Sequence, residues 1–376
     1  MVTSAYPAAA EPTTTALPSA EEFDLNDLCQ LCVQHGASDL HLTVGLPPVL
    51  RVNGRLLPLP MQRLDGTQTR RLAYDVLTDH QMQRFEETHE LDFSFGVRDI
   101  GRFRVNLYVQ RGSVAAALRA IPTRIPGMEE LNLPPILRDL TMRASGLILV
   151  TGYTGSGKST SLATMIDHIN RTRDCHIVTI EDPIEYLHRH QMSMINQREL
   201  GSDTYSFTGA LRGVLREDPD VVLVGELRDL ETVEAALTIA ETGHLVFGTL
   251  HTRSATQTVD RIVDVFPPHQ QEQVRVMLAN TLEAVIAQQL VPTIDGRQRL
   301  PAVEILIATS AIRNLIREAK THQMASVVET SGQIGMQTMD AALVDLVQRG
   351  LISHEEATLR CIDPDNFQRL LMGRYT

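Results

Sequence analysis

The nine residues GYTGSGKST, Gly152 to Thr160, satisfy the pattern G-x-x-x-x-G-K-[ST] in full. Each residue type has a task at that spacing. Glycines let backbone N–H groups converge on phosphate oxygens, the lysine reaches the β and γ phosphates, and the hydroxyl after it can ligate Mg²⁺. Thr154, Gly155, Ser156, Gly157, Lys158, Ser159 and Thr160 are therefore the candidate cradle for a nucleoside triphosphate, with the Ser159 hydroxyl facing the metal. The motif leaves the task open, since kinases, GTPases, helicases and secretion motors share it.

Hydrolysis needs carboxylates near the γ-phosphate, and two strand ends supply them. In IEDPIEY they are Glu181, Asp182 and Glu185, and in VVLVGELRD the acid is Glu226. Ligands of such sheets sit at the carboxyl ends of strands, where a carboxylate can orient water or hold the metal's water shell. These acids could instead cap helices or pair with Arg228. His244 and His251 flank one strand in ETGHLVFGTLHT, and His251, at its carboxyl end, is the better placed to sense a phosphate.

Six arginines lie between Arg98 and Arg124, with Asp99 as the only acid. In GRFRVNLYV, alternation puts Arg102, Arg104 and Asn106 on one face and Phe103, Val105 and Leu107 on the other. That face could be solvated or could meet an anion. The P-loop region offers no obvious arginine of its own, so a triphosphate held by a neighbouring subunit is the economical partner.

The elements that must position these residues fall into two patterns. Up to about residue 121, a helix over FDLNDLCQLCVQHG, an Asn53-Gly54 hairpin, a helical stretch over TRRLAYDVLTDHQMQRFEE and alternating LDFSF and GRFRVNLYVQ predict a mixed α+β domain with a small antiparallel sheet. Cys29 and Cys32 share the apolar face of the first helix and read as core. PTRIPGMEELNLPP, with four prolines and a glycine, predicts a linker over 122–135. Beyond it, GLILVTG, CHIVTIE, DVVLVGE and LVFGTLH alternate with helical patterns, as in a mostly parallel sheet covered on both faces. The expected organisation is a flexible arm over 1–21, an N-terminal domain over 22–121, the linker, an ATPase core over 136–308 and a helical region over 309–376.

Composition narrows the function. Acids outnumber bases by 46 to 34, giving a net charge of -12, a poor match to nucleic acid. The longest apolar runs are far short of the ~18 residues of a membrane helix, and the N-terminus has no signal-peptide pattern. Four cysteines form one C-x-x-C pair, too few for a four-thiolate zinc module, and suit a reducing cytoplasm.

Taken jointly, GASDLHL, RFRVN, TGYTGSGKST, TIEDPIEY, REDPDVVLVGELRDLET, ETGHLVFGTLHT and AIRNLIRE resemble the type IV pilus retraction ATPases of the secretion ATPase superfamily, over residues 23 to 372. The resemblance implies an α/β chain with a PAS-like N-terminal domain, a RecA-like P-loop ATPase domain and a helical C-terminus. It implies a cytoplasmic homo-hexamer using ATP and Mg²⁺, peripheral at the inner membrane through a pilus platform protein and assisted by a sister ATPase. By position, Lys158 and Ser159 would be Walker-A residues, Glu185 the general base and Glu226 the Walker-B glutamate. His244 and His251 would form the His box, and Arg104 and Arg119 would reach ATP from the N-terminal domain. Tyr153 departs from the family's usual proline, Arg253 stands where a small polar residue is common, and the N-terminal arm has no counterpart. Extension and type II secretion ATPases share the motifs but carry a larger N-terminal region and a four-cysteine module. AIRNLIRE resembles the retraction motif, and its Arg313 and Arg317 form a basic ridge suited to a partner. A slow nucleotide-gated regulator is the alternative of another class.

Overall fold

The structure is a computed structural model that describes residues 23–373; the expected arm over 1–21 lies outside them. The chain divides into two compact units, the first ending at Ile121 and the second running from Pro122.

The first unit comprises α1 (Leu25–Gln34), β1 (Asp39–Leu42), β2 (Val49–Val52), β3 (Arg55–Pro58), α2 (Gly66–Tyr74), α3 (Asp79–Thr88), β4 (Glu90–Val97), β5 (Gly101–Gln110) and β6 (Ser113–Ile121). Its six-stranded antiparallel sheet has the order β3-β2-β1-β6-β5-β4. Asn53 and Gly54 turn the β2–β3 hairpin with φ of 49° and 80°, the double left-handed geometry a two-residue turn requires. The helical stretch expected between Thr69 and Glu87 is two helices rather than one. Thr78 interrupts it, because its hydroxyl accepts from the Gln81 N–H at 3.3 Å and caps a fresh start. Cys29, Cys32, Phe103, Val105 and Leu107 are buried in one core. Burial pushes the Cys29 thiol up to about 12 and that of Cys32 to about 11, which suits packing rather than thiolate chemistry.

The second unit contains α4 (Ile136–Thr141), β7 (Gly146–Thr151), α5 (Lys158–Thr172), β8 (His176–Glu181), β9 (Met194–Glu199), α6 (Phe207–Val214), β10 (Val221–Val224), α7 (Leu230–Glu241), β11 (Leu245–Leu250), α8 (Ala255–Asp264), α9 (Gln271–Thr281), β12 (Leu282–Pro292), β13 (Arg299–Ile307) and α10 (Ser310–Arg317). The helices α11 (Met324–Thr330), α12 (Met339–Gln348), α13 (His354–Thr358) and α14 (Pro364–Gly373) follow. A seven-stranded sheet runs β13-β12-β7-β11-β10-β8-β9, parallel except for the β12–β13 hairpin at one edge. The sequence pattern named β7, β8, β10 and β11. It missed β9, an edge strand with a half-exposed polar face, and the β12–β13 pair. Leu147, Ile148, Leu149 and Val150 of β7 are fully buried, each contributing about 1.5–3 kcal/mol. Within 122–135, Met128 and Leu133 pack into the core that holds Ile148 and Val150.

On α10, Ile312 and Ile316 are buried, as its amphipathic pattern requires. Arg313 differs from the expected free ridge. Its guanidinium donates to the carbonyls of Ala308 (2.9 Å), Ala279 (2.7 Å) and Asn280 (2.8 Å) and to Glu283 Oε1 (2.6 Å). It ties the C-terminus of α9 to α10 by filling carbonyls that a helix end leaves open. Arg317 makes one long contact, 3.4 Å to Asn280 Oδ1.

Candidate nucleotide site

β7 ends at Thr151 and α5 starts at Lys158, so the motif occupies a strand-to-helix turn. Gly157 caps α5 with φ 87° and no side chain caps the helix. The first-turn N–H groups of a 15-residue helix are thereby left toward the loop, a ready anion site. A Cβ on Gly157 would stand 2.8 Å from Gln288 Nε2, so the position suits glycine for space as well as for φ. Lys158 folds back over the loop, with Nζ donating to the carbonyls of Gly152 (2.7 Å) and Tyr153 (3.1 Å). Burial lowers its pKa, against the pull of the Glu226 charge.

Gln288, on β12, was not anticipated. Its Nε2 donates to the Ser156 carbonyl (2.8 Å) and its Oε1 accepts from Ser161 Oγ (2.8 Å), joining the loop to α5 from a buried position. The available signal was an amide inside the apolar run LEAVIAQQLVP.

A cavity of about 350 Å³ opens beside the loop, lined by Thr154, Gly155, Lys158, Ser159, Glu181, Asp182, Glu185, Tyr186, Glu226, Arg228, Thr249 and His251, among others. The strand order explains this convergence: β7, β11, β10 and β8 are neighbours and parallel, so their carboxyl ends open on one side. Burial pushes the Glu181 carboxyl up, though Thr179 Oγ1 (2.6 Å) and Gln197 Nε2 (3.2 Å) donate to it. Burial also raises Glu226, but Arg228 (Nη2 to Oε2, 2.8 Å) and His251 (Nε2 to Oε1, 3.1 Å) outweigh it and hold the carboxyl below its ordinary value. Glu185 is exposed on a loop that Gln197 braces, accepting from the His188 N–H (2.8 Å) and donating to the Tyr186 carbonyl (2.9 Å). Thr160 Oγ1 meets Tyr186 OH at 3.0 Å, so the start of α5 touches that loop.

Two expectations change. The site does contain an arginine of its own, Arg228, which the sequence offers only as a partner for the strand-end acids; it pairs with Glu226 and also lines the cavity. His244 precedes β11 at the end away from the loop, about 23 Å from His251 by seven residue rises of extended chain. There its Nδ1 contacts the Ile239 carbonyl and Thr242 Oγ1, both at 3.0 Å, and within one chain it does not join the cavity.

In the first unit, Arg104 and Arg119 are cross-strand partners on β5 and β6. They share an open cavity of about 330 Å³ with Asp39, Asp92 and Asn106. Asp39 Oδ1 accepts from Arg119 Nε at 3.0 Å. Burial raises the Asp39 carboxyl, yet Ser38 and Arg119 together hold it below its usual value.

The cradle fits a nucleotide's phosphates. Besides the uncapped helix start, the buried hydroxyls of Thr151 and Ser156 have no hydrogen-bond partner among the described residues. No cluster of three or more His, Cys, Asp or Glu among the described residues could hold a metal by itself. A metal here would take Ser159 and phosphate oxygens as ligands, the arrangement P-loops use.

Comparison with known proteins agrees with this geometry. A Pseudomonas aeruginosa protein named "Type IV pilus retractation ATPase PilT" is 51% identical over 345 residues, covering 92% of this chain and all of that one. A "Twitching motility protein" of Neisseria gonorrhoeae is 50% identical over 313 residues, covering 83% of this chain and 84% of its own. A crystal structure of the pilus retraction motor PilT with bound ADP superposes with a TM-score of 0.85 at 52% identity, covering 92% of this chain and 99% of that one. The type II/IV secretion system protein family matches residues 25–360, and the chain belongs to that family.

Proposed function

We propose that this chain is an ATPase motor that drives type IV pilus retraction. The observation that carries the reading is likeness to a retraction ATPase over the whole of that protein's length, in a chain whose P-loop, carboxylates and His251 open on one cavity. Lys158 leaves the Gly152 and Tyr153 carbonyls for the phosphates, and the loop amides complete the hold. Glu185 acts as general base on the attacking water, and Glu226, fixed by Arg228 and His251, orients the metal's water shell. Mg²⁺, on the Ser159 hydroxyl, would neutralise charge developing on the phosphates.

The motor works as a homo-hexamer in which Arg104 and Arg119 of one subunit reach the triphosphate on the partner subunit's Lys158. It acts at the cytoplasmic face of the inner membrane through a platform protein and alongside a sister ATPase. Among the described residues no helix is long and apolar enough to cross a membrane, which suits attachment through partners. Deleting the gene should leave cells with surplus pili that do not retract, restored by the wild-type gene and not by a Lys158→Ala copy. Loss of pili would instead assign the chain to extension.

A further inference from the structure

Two residues that the catalytic reading leaves unused touch each other. The Arg253 guanidinium carbon lies 4.7 Å from the centroid of the Tyr153 ring, within cation–π range. Tyr153 is the second residue of the phosphate loop, and its ring is half exposed. Arg253 lies two residues beyond His251. The two loops leave adjacent parallel strands, with Thr151 of β7 opposite Leu250 of β11. The pair therefore spans the gap between the loop that grips phosphate and the loop that carries His251.

Both sides are tied at their far ends. The Tyr153 carbonyl accepts from Lys158 Nζ at 3.1 Å and from the Ser156 N–H at 3.1 Å, so the peptide bearing the ring is part of the loop's own closure. After Arg253 the chain enters α8 at Ser254, whose hydroxyl accepts from the Gln257 N–H at 3.3 Å. Thr252 Oγ1 meets Thr258 Oγ1 at 2.6 Å. The arginine is thus carried by a braced loop, and the tyrosine by one that must release Lys158 to take up phosphate.

We infer that Tyr153 and Arg253 form a latch linking the state of the phosphate loop to the His251–Glu226 pair, with Arg253 as a positioning residue. The inference rests on the nucleotide-site reading above. With Lys158 on the Gly152 and Tyr153 carbonyls, the stacked cation holds the outer turn of the loop. When Lys158 turns to a phosphate, the Tyr153 peptide loses that bond, the ring shifts against Arg253, and the shift passes through Thr252 to His251 and so to Glu226. An exposed cation–π contact has the strength for this role: it biases the loop by about two- to five-fold without locking it.

The chain has no tryptophan, so Tyr153→Trp places a single fluorophore in the latch and keeps a ring for the cation. In nucleotide-free protein, acrylamide quenching of that tryptophan should rise when Arg253→Ser is added and stay low with Arg253→Lys. Equal quenching in all three proteins overturns the latch whether or not the chain binds ATP. The second arm titrates ATPγS into wild type, Tyr153→Leu, Arg253→Ser and the double variant, with Lys158→Ala as the control for the nucleotide site itself. Because the contact belongs to the form in which Lys158 holds its own loop, each single variant should bind two- to five-fold more tightly, and the double no more tightly than either single. Gains that multiply in the double variant overturn the coupling. A weaker affinity confined to Tyr153→Leu also overturns it, and would mean the ring contacts the nucleotide directly.

Discussion

Replacing Gln288 by leucine should weaken nucleotide binding while leaving the second unit folded. The side chain is about the same size, so packing beside Leu290 and Gly157 changes little, but both amide bonds go. The Ser161 hydroxyl can turn to the carbonyl of Gly157, four residues back, and recover most of its loss. The Ser156 carbonyl has no such substitute, and an unsatisfied buried acceptor costs about 1–3 kcal/mol. The sheet does not depend on that bond, because β12 is paired to β13 from Ala284 to Pro292 and to β7 from Leu282 to Ala287. The penalty therefore falls on the closed form of the loop, and converts to a roughly 5- to 150-fold rise in the Kd for ATPγS. Calorimetric titration reads the Kd and a thermal melt reads the fold. An affinity within twofold of wild type, with Tm unchanged, would refute the idea that Gln288 holds the loop.

Further outcomes test the remaining assignments. Glu185→Gln should keep ATP binding and lower steady-state phosphate release by about 10²-fold, since the base is lost and the shape kept. Lys158→Ala subunits mixed with Arg104→Ala/Arg119→Ala subunits should regain part of the ATPase that each lacks alone; no return under subunit exchange would place the arginines outside a shared site. Arg313→Ala should lower Tm, because it leaves three carbonyls without their donor and Glu283 with Arg143 alone, whereas Arg317→Ala should leave Tm near wild type. Burial raises the Glu181 carboxyl above 4.5, so the folded chain keeps that proton longer than the unfolded one. Its contribution to stability is present at acid pH and declines as pH rises beyond about 4.5, so Glu181→Gln should flatten the fall of Tm toward neutral pH. Glu304 and Asp340, also raised by burial, would make that flattening partial.

The sequence by itself determined what depends on near neighbours. The strand–loop–helix of Gly146 to Thr172 follows from an apolar run, a glycine-rich turn and a 3.6-residue stripe of Leu162, Met165, Ile166 and Ile169, all within one stretch of chain. The Asn53-Gly54 hairpin and the alternating faces of β5 are local in the same sense. The strands missed were those whose fate is set elsewhere. β12 follows α9 without a break, and its side chains read equally well as a buried helix until β7 and β13 claim its backbone. The site divides along the same line. Lys158, Glu226 and His251 could be picked out because they stand at or just past a strand end or at a helix start in readable motifs, and Glu185 because its loop follows β8 within another. Gln288, Arg228 as a lining residue, Arg313 as an internal tie and the Tyr153–Arg253 contact were decided only by the tertiary structure. Strand order brings together residues far apart in sequence, 132 positions in the bond from Gln288 to Ser156, and no local pattern encodes which strands will be neighbours.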